Sequence, residues 1–263
     1  MDIRVRCWNE LNQVLYDIPK TKYGRYRSEY VYRGLADESW GLETSLIRLG
    51  GDYGSFEGPL LRTFRKYAEP GQLPKEGIWV QLAIAQHHGL PTRLLDWTVS
   101  PQVAVHFATS EEEHYDKDAA IWCIEVSSVR ALLPKKLQNI LRRENADLFS
   151  VEMLESISSL EEFDSLGKRR KFILFFEPPS LDSRIVNQGA LTSVMPGPTL
   201  VMSDFLKLHP GLYKRIIIPK ALKWEIRDKL DQDNITERTL FPGLDGLSRW
   251  LKRYYGQGPS RTP

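Results

Sequence analysis

The sequence predicts an α+β fold, with a mostly antiparallel central sheet and surrounding helices, on three observations. Runs rich in β-branched and aromatic residues at 30–34, 118–126, 171–177 and 213–219 read as strands. Apolar residues at helical spacing fill the intervals, without the regular alternation that builds a parallel α/β sheet. A hydrophobic content of 41% over 263 residues is enough for a sizeable core. The formal charge of +2 lacks the strong basic excess usual in nucleic-acid binders. Two cysteines, Cys7 and Cys123, stand far apart in no metal-like spacing, the pattern of free thiols in a reducing compartment. There is no apolar run of about eighteen residues, and the opening MDIRVRCWNE has no apolar signal core; the expectation is a soluble cytoplasmic protein with no membrane segment.

In order along the chain, residues 2–16 place Val5, Trp8, Leu11 and Leu15 on one side of an amphipathic helix, and 20–29 form a basic polar loop, so that residues 1–25 make an N-terminal helix and loop. Residues 30–34 form a strand that holds Arg33 at its end. Residues 40–51 read as a turn into a short helix. Residues 50–58 read as a glycine-rich connection, without the Gly-Lys-Ser/Thr ending or preceding strand of a phosphate loop. Leu60, Leu61, Phe64 and Tyr67 share one face of a helix over 60–68, with Arg62, Arg65 and Lys66 elsewhere.

The stretch the chain is organised around comes next. Ile78, Trp79, Leu82 and Ala85 predict a helix closing on Gln86, His87 and His88, stopped by Gly89 and Pro91. Thr92, Arg93, Asp96, Trp97 and Thr98 follow, interleaved with Leu94 and Leu95, before Ser100 and Pro101 open another helix as N-cap and first-turn proline. Burying such a polar set unpaired costs roughly 1–3 kcal/mol per group, so its members pair with each other or wait for a ligand.

In the strand over 118–126, Ile121 and Cys123 face one way and Ala120, Trp122 and Ile124 the other. Both sets are apolar, which predicts a central strand. Residues 127–164 read as charged peripheral helices, and 171–177 as a buried strand closed by Pro178 and Pro179. Residues 183–197 read as a helix end or turn with Arg184, Asn187 and Gln188, then a short strand through 191–194. A strand over 213–219, a helix over 221–230 and a last helix carrying Leu247, Trp250, Leu251 and Tyr254 complete the fold; 256–263 is a disordered tail.

Five segments, in order, resemble the FRG domain family: Tyr32-Arg33-Gly34, Thr44-Ser45-Leu46, AQHHGLPTRLLDWTVSPQVAVHFA, the run from Asn187 through Gln188 and Gly189 to Thr192, and the run from Leu240 to Leu244. On that resemblance the FRG domain spans residues 26–255. Leu191 departs from the family pattern, which has an aromatic residue there.

The order of these motifs is more distantly similar to the arginine-serine-glutamate class of ADP-ribosyltransferases. This resemblance implies an ADP-ribosyltransferase-like fold and NAD as co-substrate; no metal is expected, the FRG resemblance suggests a setting in bacterial or phage conflict, and the acceptor, protein or nucleic acid, is left open. It implies catalytic roles for Arg33, Asp96 and Gln188. NAD contacts fall to Tyr32, Arg33, Gly34, Gln86, His87, His88, Arg93, Trp97, Thr98, Ser100 and Thr192. An arginine at a strand end can grip a pyrophosphate with two hydrogen bonds. The hydroxyls of Thr98 and Ser100 would position the nicotinamide ribose, and Trp97 would stack on the nicotinamide or fill the core. Gln188 stands where the class carries glutamate, so Asp96 or Glu177 supplies the negative charge, or the protein binds a nucleotide without turning it over.

Other readings of the same residues stand beside this one. Arg33 can pair with Asp96 as a structural arginine, and Arg93 and Asp96 can form a local ion pair. His87 and His88 point about 100° apart on a helix. A metal hydrolase would use His87, His88, Asp96 and His106, but no His-Glu-x-x-His or His-x-x-His spacing is present. A non-catalytic module would bind a nucleotide, nucleic acid or protein, the last two through the basic stretches 20–27 and 62–66.

Overall fold

The computed structural model of the protein describes residues 2–21, 23–69, 71–73 and 77–256. In chain order its main elements are β1 (Asp2–Arg4), α1 (Trp8–Tyr16), β2 (Tyr30–Leu35), α2 (Tyr53–Tyr67), α3 (Ile78–His87), β3 (Leu95–Thr98), α4 (Pro101–Thr109), β4 (Ala119–Glu125), α5 (Val126–Arg130), α6 (Lys135–Glu144) and β5 (Phe149–Ser150). There follow α7 (Leu160–Leu166), β6 (Leu174–Glu177), α8 (Ser183–Asn187), β7 (Ala190–Val194), α9 (Met202–Lys207), β8 (Tyr213–Ile218), α10 (Lys223–Gln232), α11 (Glu237–Leu240) and α12 (Leu244–Tyr254).

The strands form one open sheet in the order β1-β8-β4-β2-β3-β7-β6-β5. Pairs β1·β8 and β5·β6 are parallel and the other pairs antiparallel, so the fold is α+β with a mostly antiparallel sheet. The alternation of β4 is as the sequence predicts. Ala119, Ile121 and Cys123 pack with Val5, Leu11, Ala104, Ala108 and Ile226 under α1, α4 and α10. Trp122 and Ile124 face the opposite core with Val31, Leu95, Trp97, Phe175 and Leu191.

Three local expectations are corrected. Residues 2–4 are a strand rather than the start of a helix, because Asp2, Ile3 and Arg4 extend the sheet edge beside Arg215, Ile216 and Ile217; the helix starts only at Trp8. The glycine-rich stretch is not a loop beyond Asp52. Helix α2 starts at Tyr53 and runs through Gly58 and Pro59, held by Glu57, a buried carboxylate that Arg93 clamps from another segment. Residues 127–164 are not peripheral: Leu137, Ile140, Phe149, Leu154, Ile157 and Phe163 build a core around Trp79 of α3, whose indole donates to the Ile157 carbonyl at 2.9 Å. The amphipathic pattern was present there, but a high density of charge obscured it. The tail expected to be disordered lies outside the described residues beyond Gly256.

The sheet is weakest at its middle. Strands β2 and β3 share a single residue pair, Tyr32 with Thr98, and separate where Arg33, Gly34 and Leu35 run past Trp97 and Asp96. Helix α4 fixes that separation, because Gly34 lies against its backbone. A Cβ on Gly34 would sit 1.9 Å from the Ala104 carbonyl oxygen and 2.6 Å from the Ala108 amide nitrogen. The glycine of the Tyr-Arg-Gly motif is therefore a packing requirement, met by alanines on the facing helix. Gly34→Ala should lower stability by about 1–3 kcal/mol or more in equilibrium denaturation, and a change within about 0.5 kcal/mol would show that α4 can retreat.

A buried ionic cluster ties α4 to the C-terminal helices. Arg227, fully buried, donates to His106 Nδ1 at 2.8 Å and to Glu237 at 3.1 Å. Arg253 bonds both Glu237 and Asp231. Burial alone would raise the Glu237 carboxyl, but the hydrogen bonds from Arg253 and the charge of Arg227 bring it down to about 2. His106 moves down to about 3 through burial, with the Arg227 charge adding to it, and so stays neutral. The stability Glu237 contributes is full above the ordinary carboxylate range and is lost as pH falls from there toward its folded value. Glu237→Gln should cost about 3–5 kcal/mol at neutral pH by leaving two buried guanidinium groups short of charge. The variant should also lose much of the wild-type decline in melting temperature between about pH 4.5 and pH 2.

Candidate functional site

The gap between β2 and β3 opens into a cavity of about 540 Å³. Residues of the two separating strands line it together with residues of α3, α4 and α8. Tyr32, Arg33, Gly34, Gln86, His87, Asp96, Trp97, Thr98, Gln188 and Thr192, all named from the sequence, line this one cavity. Its size is that of a site for a small molecule or dinucleotide portion.

Arg33 crosses the gap. Its Nη1 donates to the backbone carbonyl of Asp96, an acceptor that a regular β2·β3 ladder would have used. Its Nε is enclosed without a hydrogen-bond partner among the described residues. Burial lowers the guanidinium's pKa, Asp96 opposes the shift and Arg48 adds to it. A desolvated cation with an unused donor gains from any anion entering beside it. Among the described residues, no carboxylate forms an ion pair with Arg33.

A chain of hydrogen bonds positions Asp96. Its Oδ2 accepts from Gln86 Nε2 at 3.0 Å, while Gln86 Oε1 accepts from the Thr92 hydroxyl. Thr92 in turn is fixed by Ser45, whose hydroxyl accepts from the Thr92 amide at 3.0 Å, and its carbonyl accepts from Leu46. The Thr44-Ser45-Leu46, Gln86 and Thr92 motifs thus act together to aim one exposed carboxylate into the cavity. Glu177, the other carboxylate considered, is at the end of β6 and does not line it.

Gln188 is held rather than free. Its Nε2 donates to the Leu240 carbonyl at 2.9 Å, and Asn187 Nδ2 donates to the Thr239 carbonyl at 2.8 Å, so both amides cap the end of α11. Gly189, at φ +51°, turns the chain from α8 into β7. The Thr98 hydroxyl donates to the Gln188 carbonyl at 2.6 Å and accepts from the Ser100 amide at 2.9 Å, so its one proton is spent within the protein. Tyr32 is buried, its hydroxyl bonded to Ser28 at 2.9 Å and its pKa pushed up to about 12 by burial.

Three sequence expectations are corrected, and of the two readings of Trp97 the core one holds. Arg93 does not pair with Asp96 or reach the cavity. It is buried in a two-pronged bond to Glu57 and a third to Asp164 at 2.5 Å, because residues 93 and 96 leave the chain on opposite sides of the turn into β3. Ser100 is outside the cavity lining, its hydroxyl capping α4 through the Val103 amide. His88 is exposed at the end of α3, its ring edge-on to His87 at 5.3 Å. Trp97 belongs mainly to the core, donating to Ser193 Oγ at 2.7 Å and meeting Phe175 edge-on, with only its margin at the cavity. The donors of a metal hydrolase are not brought together either: His106 is fully buried against Arg227, and among the described residues no group of three or more His, Cys, Asp or Glu side chains is placed to hold a metal ion.

Residues 28–117 match the family model of the FRG domain. Over that stretch, about a third of its length, the chain carries an FRG domain. No curated protein and no solved structure matches the chain. The matched stretch of the FRG domain includes both separating strands, the Gln86–Asp96 pair and α4, whereas Gln188, Thr192 and α8 come from outside it.

Several lining residues carry no local signal. Trp40, Glu43 and Arg48 reach the cavity from the segment after β2, and Glu111 from the connection after α4. Arg184 lines its mouth and lies over the Phe241 ring at 4.9 Å, with Arg249 over the same ring at 4.5 Å. His87 Nε2 bonds Asp182 Oδ2 at 3.0 Å, and Asp182 also caps α8 by accepting from the Arg184 and Ile185 amides. Asp182 had a sequence signature as an N-cap, but nothing local linked it to His87. Gln188→Ala should lower stability by about 1 kcal/mol in the ligand-free protein, because it leaves a helix-end carbonyl unbonded; no loss would show that water replaces the amide.

Proposed function

We propose that the cavity binds NAD and that the protein cleaves the bond between nicotinamide and ribose, as an ADP-ribosyltransferase-like or NAD-cleaving enzyme. The observation that carries this reading is the meeting of Arg33, with an unused enclosed donor, and the exposed carboxylate of Asp96 on opposite sides of one gap. Arg33, with Arg48 on the same wall, suits the pyrophosphate, since a guanidinium offers two parallel donors. Asp96 takes the part that glutamate has in the arginine-serine-glutamate enzymes. A carboxylate there binds a ribose hydroxyl and stabilises the positive charge that develops at C1 as the bond breaks. Gln188, capped onto α11, shapes the wall and supplies no charge. Trp40 and Phe107 offer aromatic surface for the bases.

Calorimetric titration with NAD, together with chromatographic measurement of nicotinamide release, tests the reading. Wild type should bind NAD and release nicotinamide. Arg33→Lys should weaken binding by about 1.5–3 kcal/mol, the worth of hydrogen bonds to a charged group. Asp96→Asn should leave binding within about tenfold and slow release by about 10²–10³-fold. A wild-type protein that neither binds nor cleaves NAD at millimolar concentration would rule the reading out.

A further inference from the structure

His87 at the cavity wall and its partner Asp182 are not used by the reading above, and their geometry is that of an oriented base. The two residues come from α3 and from the segment before α8, 95 positions apart, and meet through Nε2 and Oδ2 at 3.0 Å. Asp182 is itself fixed, because its other oxygen accepts two backbone amides at the start of α8. Although burial works the other way, those amides and the facing His87 keep its carboxyl below the ordinary range, so it is an anion at neutral pH. A carboxylate facing Nε2 places the ring proton there and leaves Nδ1 as the acceptor. His87 lines the cavity, one residue after Gln86, which aims Asp96. One turn of α3 therefore delivers both an imidazole and the group that holds the charge-stabilising carboxylate.

Resting on the NAD reading, we infer that His87, oriented by Asp182, is the general base that deprotonates the acceptor, and that this acceptor is water or another neutral hydroxyl. The oxygen of water bonds to C1 of the nicotinamide ribose as the C1–N bond breaks. The electron pair of that bond leaves with nicotinamide, and the water proton passes to Nδ1 of His87. The products are ADP-ribose, nicotinamide and, once the imidazolium releases it, a proton. His87 is the catalytic residue and Asp182 a positioning residue. The charged and titratable groups around the ring are Asp182, its neighbour His88, and Asp96, Arg33 and Arg184 on the cavity walls.

The experiment is a pH profile of nicotinamide release by the full chain with NAD, run with NAD titrations on wild type, His87→Gln and Asp182→Asn. His87→Gln should bind NAD within about threefold of wild type, lower kcat by about 10²–10⁴-fold, and lose the rise in rate with pH that titration of the base produces. Asp182→Asn keeps an N-cap side chain, so α8 should persist. It should lower kcat by about tenfold with NAD binding unchanged, because the imidazole loses the partner that fixes its tautomer and orientation. A merely structural pair would lower the melting temperature and leave the pH profile unchanged. If wild type cleaves NAD and His87→Gln retains both kcat within about threefold and the same pH rise, this inference fails and the NAD reading stands. If wild type neither binds nor cleaves NAD, both fall.

Discussion

Where β2 and β3 part company, a guanidinium takes the place of the missing ladder amides: Arg33 reaches from one strand to the Asp96 carbonyl of the other. A sheet interrupted at its centre would ordinarily leave backbone groups unpaired, at a cost comparable to a lost hydrogen bond for each one buried. Here the interruption is bridged by a side chain with donors to spare, and the space beside it stays open. Everything distinctive about the cavity follows from that substitution. Gly34 keeps β2 against α4 and so away from β3, and the Tyr32–Thr98 pair is the hinge from which the strands diverge.

The polar stretch after α3 divides into two functions that its sequence does not separate. Arg93 turns away from the cavity to join Glu57 and Asp164, binding α2 and α7 to the centre of the fold. Its neighbours Thr92 and Gln86 turn the other way and hold Asp96 in the cavity. A buried ion group of this kind is weak evidence for net stability, but removing one partner would strand the others. Its clearest consequence is geometric: the turn into β3 is fixed from both sides, so the aim of Asp96 is fixed with it.

The C-terminal part of the chain completes the site from a distance. Asn187 and Gln188 hold the end of α11, and Arg227, Glu237 and Arg253 hold α11 and α12 to α10 and α4. The two late motifs, one at the turn before β7 and the other after α11, are thus two halves of one contact. Phe241, between Arg184 and Arg249, carries that contact to the cavity mouth.

The sequence by itself determined the strands β2, β4, β6 and β8, the central place of β4, the end of α3 and the cap of α4, because these rest on period, turn chemistry and capping within a few residues. It also brought Arg33, Asp96 and Gln188 into one list, through motif order. Only the tertiary structure decided what each does. Whether Arg93 or Arg33 faces the cavity, whether the Thr98 hydroxyl is spent on Gln188, and whether His87 finds Asp182 all depend on partners roughly 36 to 95 positions away. Strand β3 shows the same limit: Leu-Asp-Trp-Thr alternates apolar and polar residues but is only four residues long, and it is extended because β7 pairs with it along its length. Local sequence fixes the backbone's preference, but a polar side chain's role is set by which donor or acceptor the fold places opposite it.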